Sequence, residues 1–137
     1  RIGLSFSLYN FAWVSLYAGN YHKARALFYE SFSLSSEDGN ETVMIDCLAG
    51  FAGILGMAGK PEQAACLIGA FEHLRQGSSR PLDPTDQKEI DHYVTIVRKQ
   101  LHKTVFEKAW AKGRSMTLEQ AIAFALEESY ESSIQAC

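Results

Sequence analysis

The chain is poor in the residues that carry chemistry. Its three cysteines, Cys47, Cys66 and Cys137, form no CxxC motif and cannot all pair with one another. With no signal-peptide pattern at the start, that favours a reducing cytoplasm. The glycines fall in no GxGxxG or Walker pattern, so no phosphate-cradling loop is visible. His22, His73, His92 and His102 lack metal-ligand spacing and read as surface or helix-end residues. No Ser–His–Asp or Cys–His arrangement offers itself. Neither catalysis, nor a cofactor, nor a metal is expected. Net charge is only −3, which excludes a global attraction to nucleic acid or to an anionic membrane. The run Val43 to Gly59 carries one charge, Asp46. It is Gly-rich and at the short limit for a membrane span, so a buried helix is the better expectation.

What the chain does have is a repeat. Shifted by 40 positions, Leu8 to Leu34 lands on Leu48 to Leu74 with eight of 27 positions identical. The identities are Leu8/Leu48, Phe11/Phe51, Ala12/Ala52, Ala18/Ala58, Gly19/Gly59, Ala24/Ala64, Leu27/Leu67 and Leu34/Leu74. All are large apolar, Ala or Gly residues, which a repeated packing unit keeps and a repeated active site does not. The unit reads as a helical hairpin. Leu8, Phe11, Ala12 and Ser15 share one helix face. Gly19-Asn20 stops the first helix, and Ala24, Leu27, Phe28 and Ser31 fall in phase on a second. In the second copy Gly59 closes the first helix, and Pro61 sits in the first turn of the next, where its missing N–H is harmless.

At 137 residues and 47% hydrophobic, the chain is large enough for one domain with its own core. It has no initiator Met and opens inside what reads as a helix, so an excised piece of a longer protein is expected. The pattern predicts seven helices, over about 4–18, 21–36, 41–58, 61–76, 84–101, 103–112 and 117–128, and no strands. QGSSRPLDP interrupts the series. Asp83-Pro84 then starts a helix with Ile90, Val94, Val97 and Leu101 on one stripe, and Thr117 to Gln120 is a capping box. Trp110 is expected to anchor the short sixth helix. Glu127, Glu128 and Glu131 oppose the dipole of the last one, so a frayed tail is expected from Ser129. Gly50, Gly53 and Gly56 make a bare stripe that invites close approach of another backbone, the chain's own or a partner's. Arg98, Lys99, Lys103, Lys108, Lys112 and Arg114 lie close together. With no aromatic stacking platform among them and a negative net charge, they read as a solvated face with helix C-terminal charges rather than a nucleic-acid site.

The hairpin resembles a tetratricopeptide repeat. The residues that carry this are Leu8, Phe11, Ala12, Gly19, Tyr21 and Ala24, then Leu48, Phe51, Ala52, Gly59, Pro61 and Ala64. Pro61 replaces the aromatic, the period is 40 rather than the usual ~34, and Phe71 stands where a small residue is expected. With the elements that follow (Ala64-Ala65 to Arg75, Phe106 to Gly113 with Ala109-Trp110, and Met116 to Leu126), the chain is similar to the C-terminal end of the tetratricopeptide region in large bacterial LuxR-type regulators with an ATPase module, and in relatives with kinase or cyclase heads. The resemblance implies a sensor or scaffold region. It does not imply that this stretch itself binds ATP or DNA.

The expected architecture is an all-α, right-handed α-α superhelix of two tetratricopeptide-like hairpins (1–76), a loop (77–84) and a three-helix cap (85–128). In that pattern the first helix of each repeat lines the concave face. Tyr9, Trp13 and Tyr17 would form one wall of a groove, with Asp46, Gly53, Gly56 and Met57 opposite. Such a groove suits a peptide or helix. Alternatively these aromatics contact a preceding repeat or the chain's own C-terminal helices. The expected function is protein–protein interaction or ligand sensing within a bacterial transcriptional or signalling regulator. The partner would be a protein, a peptide or another domain of the same regulator. The alternative is a structural cap or homodimerisation segment with no ligand.

Overall fold

The computed structural model describes residues 2–78 and 80–136, with side chains described for 3–78 and 80–129. Seven helices account for it: α1 Ile2–Tyr17, α2 Tyr21–Asp38, α3 Glu41–Met57, α4 Pro61–Gln76, α5 Pro84–Gln100, α6 Lys103–Arg114 and α7 Leu118–Ala136. No strand occurs among the described residues. Six of the seven spans lie within two residues of expectation, because local chemistry sets their ends. Gly19 and Gly59 both take positive φ (84° and 80°). Asn20 N–H then reaches back to Ser15 O, and Lys60 N–H to Leu55 O, each at 2.9 Å. Two equivalent turns are thus closed by the same left-handed glycine. The side chains of Asn20, Asn40 and Asp83 cap α2, α3 and α5. Thr117 and Gln120 exchange the two bonds of a capping box at 3.2 and 3.0 Å. His102 caps α6 through Nδ1.

The core is built around α3. Val43 and every residue from Ile45 to Gly56 are buried, and α3 touches α1, α2, α4, α5 and α7. A helix apolar on every side needs neighbours on every side. No described helix is long and apolar enough to cross a membrane. The expected glycine stripe explains how the neighbours fit. A Cβ on Gly50 would collide with the Phe28 ring of α2. One on Gly53 would come within 2.8 Å of Leu16, and one on Gly56 within 2.8 Å of Val97. Phe71, out of pattern for its repeat, is buried beside Ile90, Tyr93 and Val94 of α5.

Three features differ from expectation. The closest helix approach is elsewhere, between α4 and α6. An added Cβ on Gly69 would meet the Trp110 carbonyl, and one on Gly113 the Cys66 carbonyl. Backbone lies on backbone there, with no side chain between. Secondly, Phe106 is more deeply enclosed than Trp110 on α6, and Trp110 packs half-buried against the core. Trp110 is half-buried, donates Nε1–H to Glu72 at 2.8 Å, and carries the Arg114 guanidinium 4.7 Å from its ring. Thirdly, α7 does not end near residue 128 but runs to Ala136. Its acidic end is held by cations from the first hairpin and its neighbour. Arg25 donates to Leu126 O (3.1 Å) and to Ser129 Oγ (3.4 Å), and Lys60 pairs with Glu128 at 3.5 Å. Because α7 continues about two turns past Glu128, these carboxylates lie in its interior, where the C-terminal dipole no longer opposes them. α7 therefore packs back on α3 and α2.

Candidate functional site

The expected groove is closed. Tyr9, Trp13, Asp46, Gly53 and Gly56 are all buried, and only Tyr17 (73% exposed) and Met57 (39%) reach solvent. The occupant is α5. Tyr93 stacks on Trp13 with ring centroids 5.7 Å apart and lies 3.4 Å from where a Gly53 Cβ would be. Val97 covers Gly56. The bare glycine strip admits the chain's own helix, so the five buried positions offer nothing to an outside partner. Within this closed layer Tyr9, Trp13 and Phe28 meet edge-to-face. The Tyr9 hydroxyl and the Trp13 indole nitrogen make no hydrogen bond of ordinary geometry. Burial, with the carboxylates of Asp46 and Asp86 adding to it, pushes the Tyr9 hydroxyl well above the usual range, and the nearby Trp13 N–H tempers that rise.

One end of this layer opens into a polar cleft of about 360 Å³ between Phe6, Asp46, Arg75, the segment from Arg80 to Pro84, and Asp86. Asp46, expected on the groove wall, is instead tied to Arg75 by two contacts, Nε to Oδ1 at 2.8 Å and Nη2 to Oδ2 at 3.4 Å. Arg75 also donates through Nη1 to the Arg80 carbonyl. Burial raises the Asp46 pKa and Arg75 opposes that rise. The pair pins α3 and α4 to the connecting segment, a structural task. Asp86 is less well matched. Burial first, then Asp83, Asp46 and Glu89, push its carboxyl up to about 6 against the pull of Arg75. It can take up a proton near neutrality; the Thr42 hydroxyl, also on this cleft, lies 3.3 Å from Ser78 Oγ.

A second cleft, of about 570 Å³, lies between α4, α6 and α7, with Cys66, Val105 and Phe124 on its floor and Lys108, Lys112, Glu62 and Glu128 around it. Burial pushes the Cys66 thiol up and Lys112 only partly offsets this, so no reactive thiolate forms. The basic stretch is dispersed. Arg98 lies over Phe106 (4.1 Å) and Arg114 over Trp110 (4.7 Å), while Lys108 and Lys112 line this cleft beside two glutamates. Cys47, buried against Ser31, is pushed up to about 12 and is inert. No group of His, Cys, Asp and Glu among the described residues could hold a metal.

The surface that sequence reasoning passed over is the outer face of α1. Leu4 (49% exposed), Phe11 (47%) and Val14 (64%) form an open apolar stripe on the side away from Tyr9 and Trp13. Its signal was present. Apolar residues recur on both faces of Ile2–Tyr17, which carries no charged residue, and such a helix is ordinarily buried.

No family model matches the chain, and no curated protein or solved structure is significantly similar to it.

Proposed function

We propose that this chain is a helical-repeat scaffold for protein–protein interaction, the C-terminal part of a larger cytoplasmic bacterial transcriptional or signalling regulator of the LuxR-type, tetratricopeptide-containing kind. Its two hairpins would be successive turns of a right-handed superhelix, and α5 to α7 its terminal cap. The observation that carries this proposal is the open apolar stripe on α1 in a chain whose remaining large apolar residues are mostly enclosed. Exposed apolar patches on soluble domains mark interaction surfaces. Further support comes from the 40-residue repeat.

The test is a photocrosslinking amino acid placed at Val14 in the whole protein in its own cells. The same probe goes at Lys99, an exposed position on α5. A discrete protein adduct at Val14 and none at Lys99 is expected. No adduct at Val14 would leave the alternative, a structural cap with no partner.

A further inference from the structure

The two halves of α5 are held differently. The C-terminal half is seated. Ile90, Tyr93 and Val97 are buried, Tyr93 and Val97 cover Gly53 and Gly56, and Gln100 Nε2 donates to Gly56 O at 3.0 Å. At the N-terminal end no residue from Asp83 to Glu89 is buried. This stretch carries three carboxylates, and two of them, Asp83 and Asp86, line the polar cleft with a fourth, Asp46 of α3. The nearby cations are committed elsewhere. Arg75 of α4 is tied to Asp46 and to the Arg80 carbonyl, and the Arg80 guanidinium lies 5.0 Å over the Phe6 ring of α1. Lys88 is exposed and two residues from Asp86, a spacing that does not face it on a helix. Two polar atoms are also shut in without partners, Glu89 Oε2 and the Tyr9 hydroxyl. Each destabilises the closed arrangement, and contact with water removes that cost.

We propose that Pro84 to Glu89, the start of α5, is a proton-controlled latch on the polar cleft, wound and closed while the Asp86 carboxyl is neutral, unwound and released when it ionises, with Tyr93 and Val97 in place throughout. The latch is independent of the α1 stripe. Ionised Asp86 faces Asp83 at the helix cap, Asp46 of α3 and Glu89 one turn on, against the pull of Arg75. Arg80 lies on Phe6, and the Tyr9 hydroxyl, raised well above its usual range, stays neutral. In the closed latch burial and the three carboxylates push Asp86 up to about 6, whereas a free carboxyl titrates at 3.8. The closed state therefore holds the proton more tightly than the open one. Closure is strongest below about pH 4 and weakens as pH rises through about 6. With those two values the ratio of open to closed latch rises about tenfold between pH 5 and pH 7.5. Opening also brings water to Glu89 and Tyr9.

Hydrogen exchange of the full chain, corrected for intrinsic rates, reads the latch through the amides of Gln87 to Ile90. These are the first in α5 to make helical hydrogen bonds, beginning with Gln87 N–H to Asp83 O at 2.9 Å. Their protection should fall about tenfold from pH 5 to pH 7.5, while that of Val94 to Gln100 holds. Asp86→Asn should keep them protected at both pH values. Glu89→Gln, which removes one repelling carboxylate and leaves the Asp83 cap intact, should lessen the fall, and it decides the matter if Asp86→Asn does not fold. Equal protection at both pH values in the native chain would overturn the proposal. So would a fall that persists undiminished in Asp86→Asn or, should that variant not fold, in Glu89→Gln. A parallel loss from Val94 to Gln100 would overturn it too, because the whole helix and not its first turns would then be leaving.

Discussion

α1 and α3 are built on one template and meet opposite fates. Each opens a hairpin, each ends on a glycine at positive φ, and they share Leu8/Leu48, Phe11/Phe51 and Ala12/Ala52. Yet α3 is enclosed on all sides while α1 leaves half its circumference in water. The pattern of a repeat therefore states what a surface can accept. Only the neighbours decide whether it is covered. Where the copies diverge, the cause is visible. Trp13 fills the space on α1 that Gly53 leaves bare on α3, and α5 settles into that space with Tyr93 against both.

The largest effect should come from truncating the paired phenylalanines. Phe51→Ala removes a wholly buried ring and should cost about 3–5 kcal/mol. Phe11→Ala, at the equivalent position, should stay within about 0.5 kcal/mol. Urea unfolding of the two variants checks this, and equal losses would mean that α1 is covered too.

A smaller effect should follow from adding a side chain where α5 settles. Gly53→Ala gains helix propensity but places a methyl 2.8 Å from Leu16 and 3.4 Å from Tyr93. A net loss of about 1–2 kcal/mol is expected, read as a lowered thermal midpoint. A rise would show that α5 is not held against α3.

The smallest should come from the polar cleft where Asp46, at the repeat position equivalent to Phe6, faces the connecting segment and α5. Asp86 takes its proton near pH 6 in the fold, against 3.8 for a free carboxyl. Between those values the folded state binds more proton than the unfolded state, so this group's contribution to stability falls as pH rises from about 4 to about 6. Asp86→Asn should raise the thermal midpoint at pH 7.5 and leave it unchanged at pH 4. The gain is limited because a carboxylate in the first turn of α5 also favours that helix's dipole. Parallel shifts at both pH values would remove titration of Asp86 as the cause.

Helix ends were legible because glycine turns, asparagine caps and the Thr117–Gln120 box act within a few residues. Contacts between distant segments were not. The stripe of Ile90, Val94 and Val97 announces that α5 has an apolar face, but not that the face lands on Gly53 and Gly56 of α3. Asp46 and Arg75 are 29 residues apart, and no local pattern joins them. Gly113 reads as a helix end when it is a crossing point with α4. α7 is tied to Arg25, about a hundred residues earlier in the chain, and no local pattern joins them. The candidate groove failed for the same reason. Its residues were chosen for sharing a face, and that face was the one another helix needed.

The most direct test concerns Trp13, the wall between the closed inner layer and the open outer stripe. With Trp110→Phe it becomes the sole tryptophan, and its fluorescence reports whether α5 covers it. Blue emission and weak quenching by acrylamide are the results expected of an indole stacked beneath Tyr93. Red emission with strong quenching would mean that α5 stands away from α1 and α3, and that the inner face, not the outer one, is the surface left open.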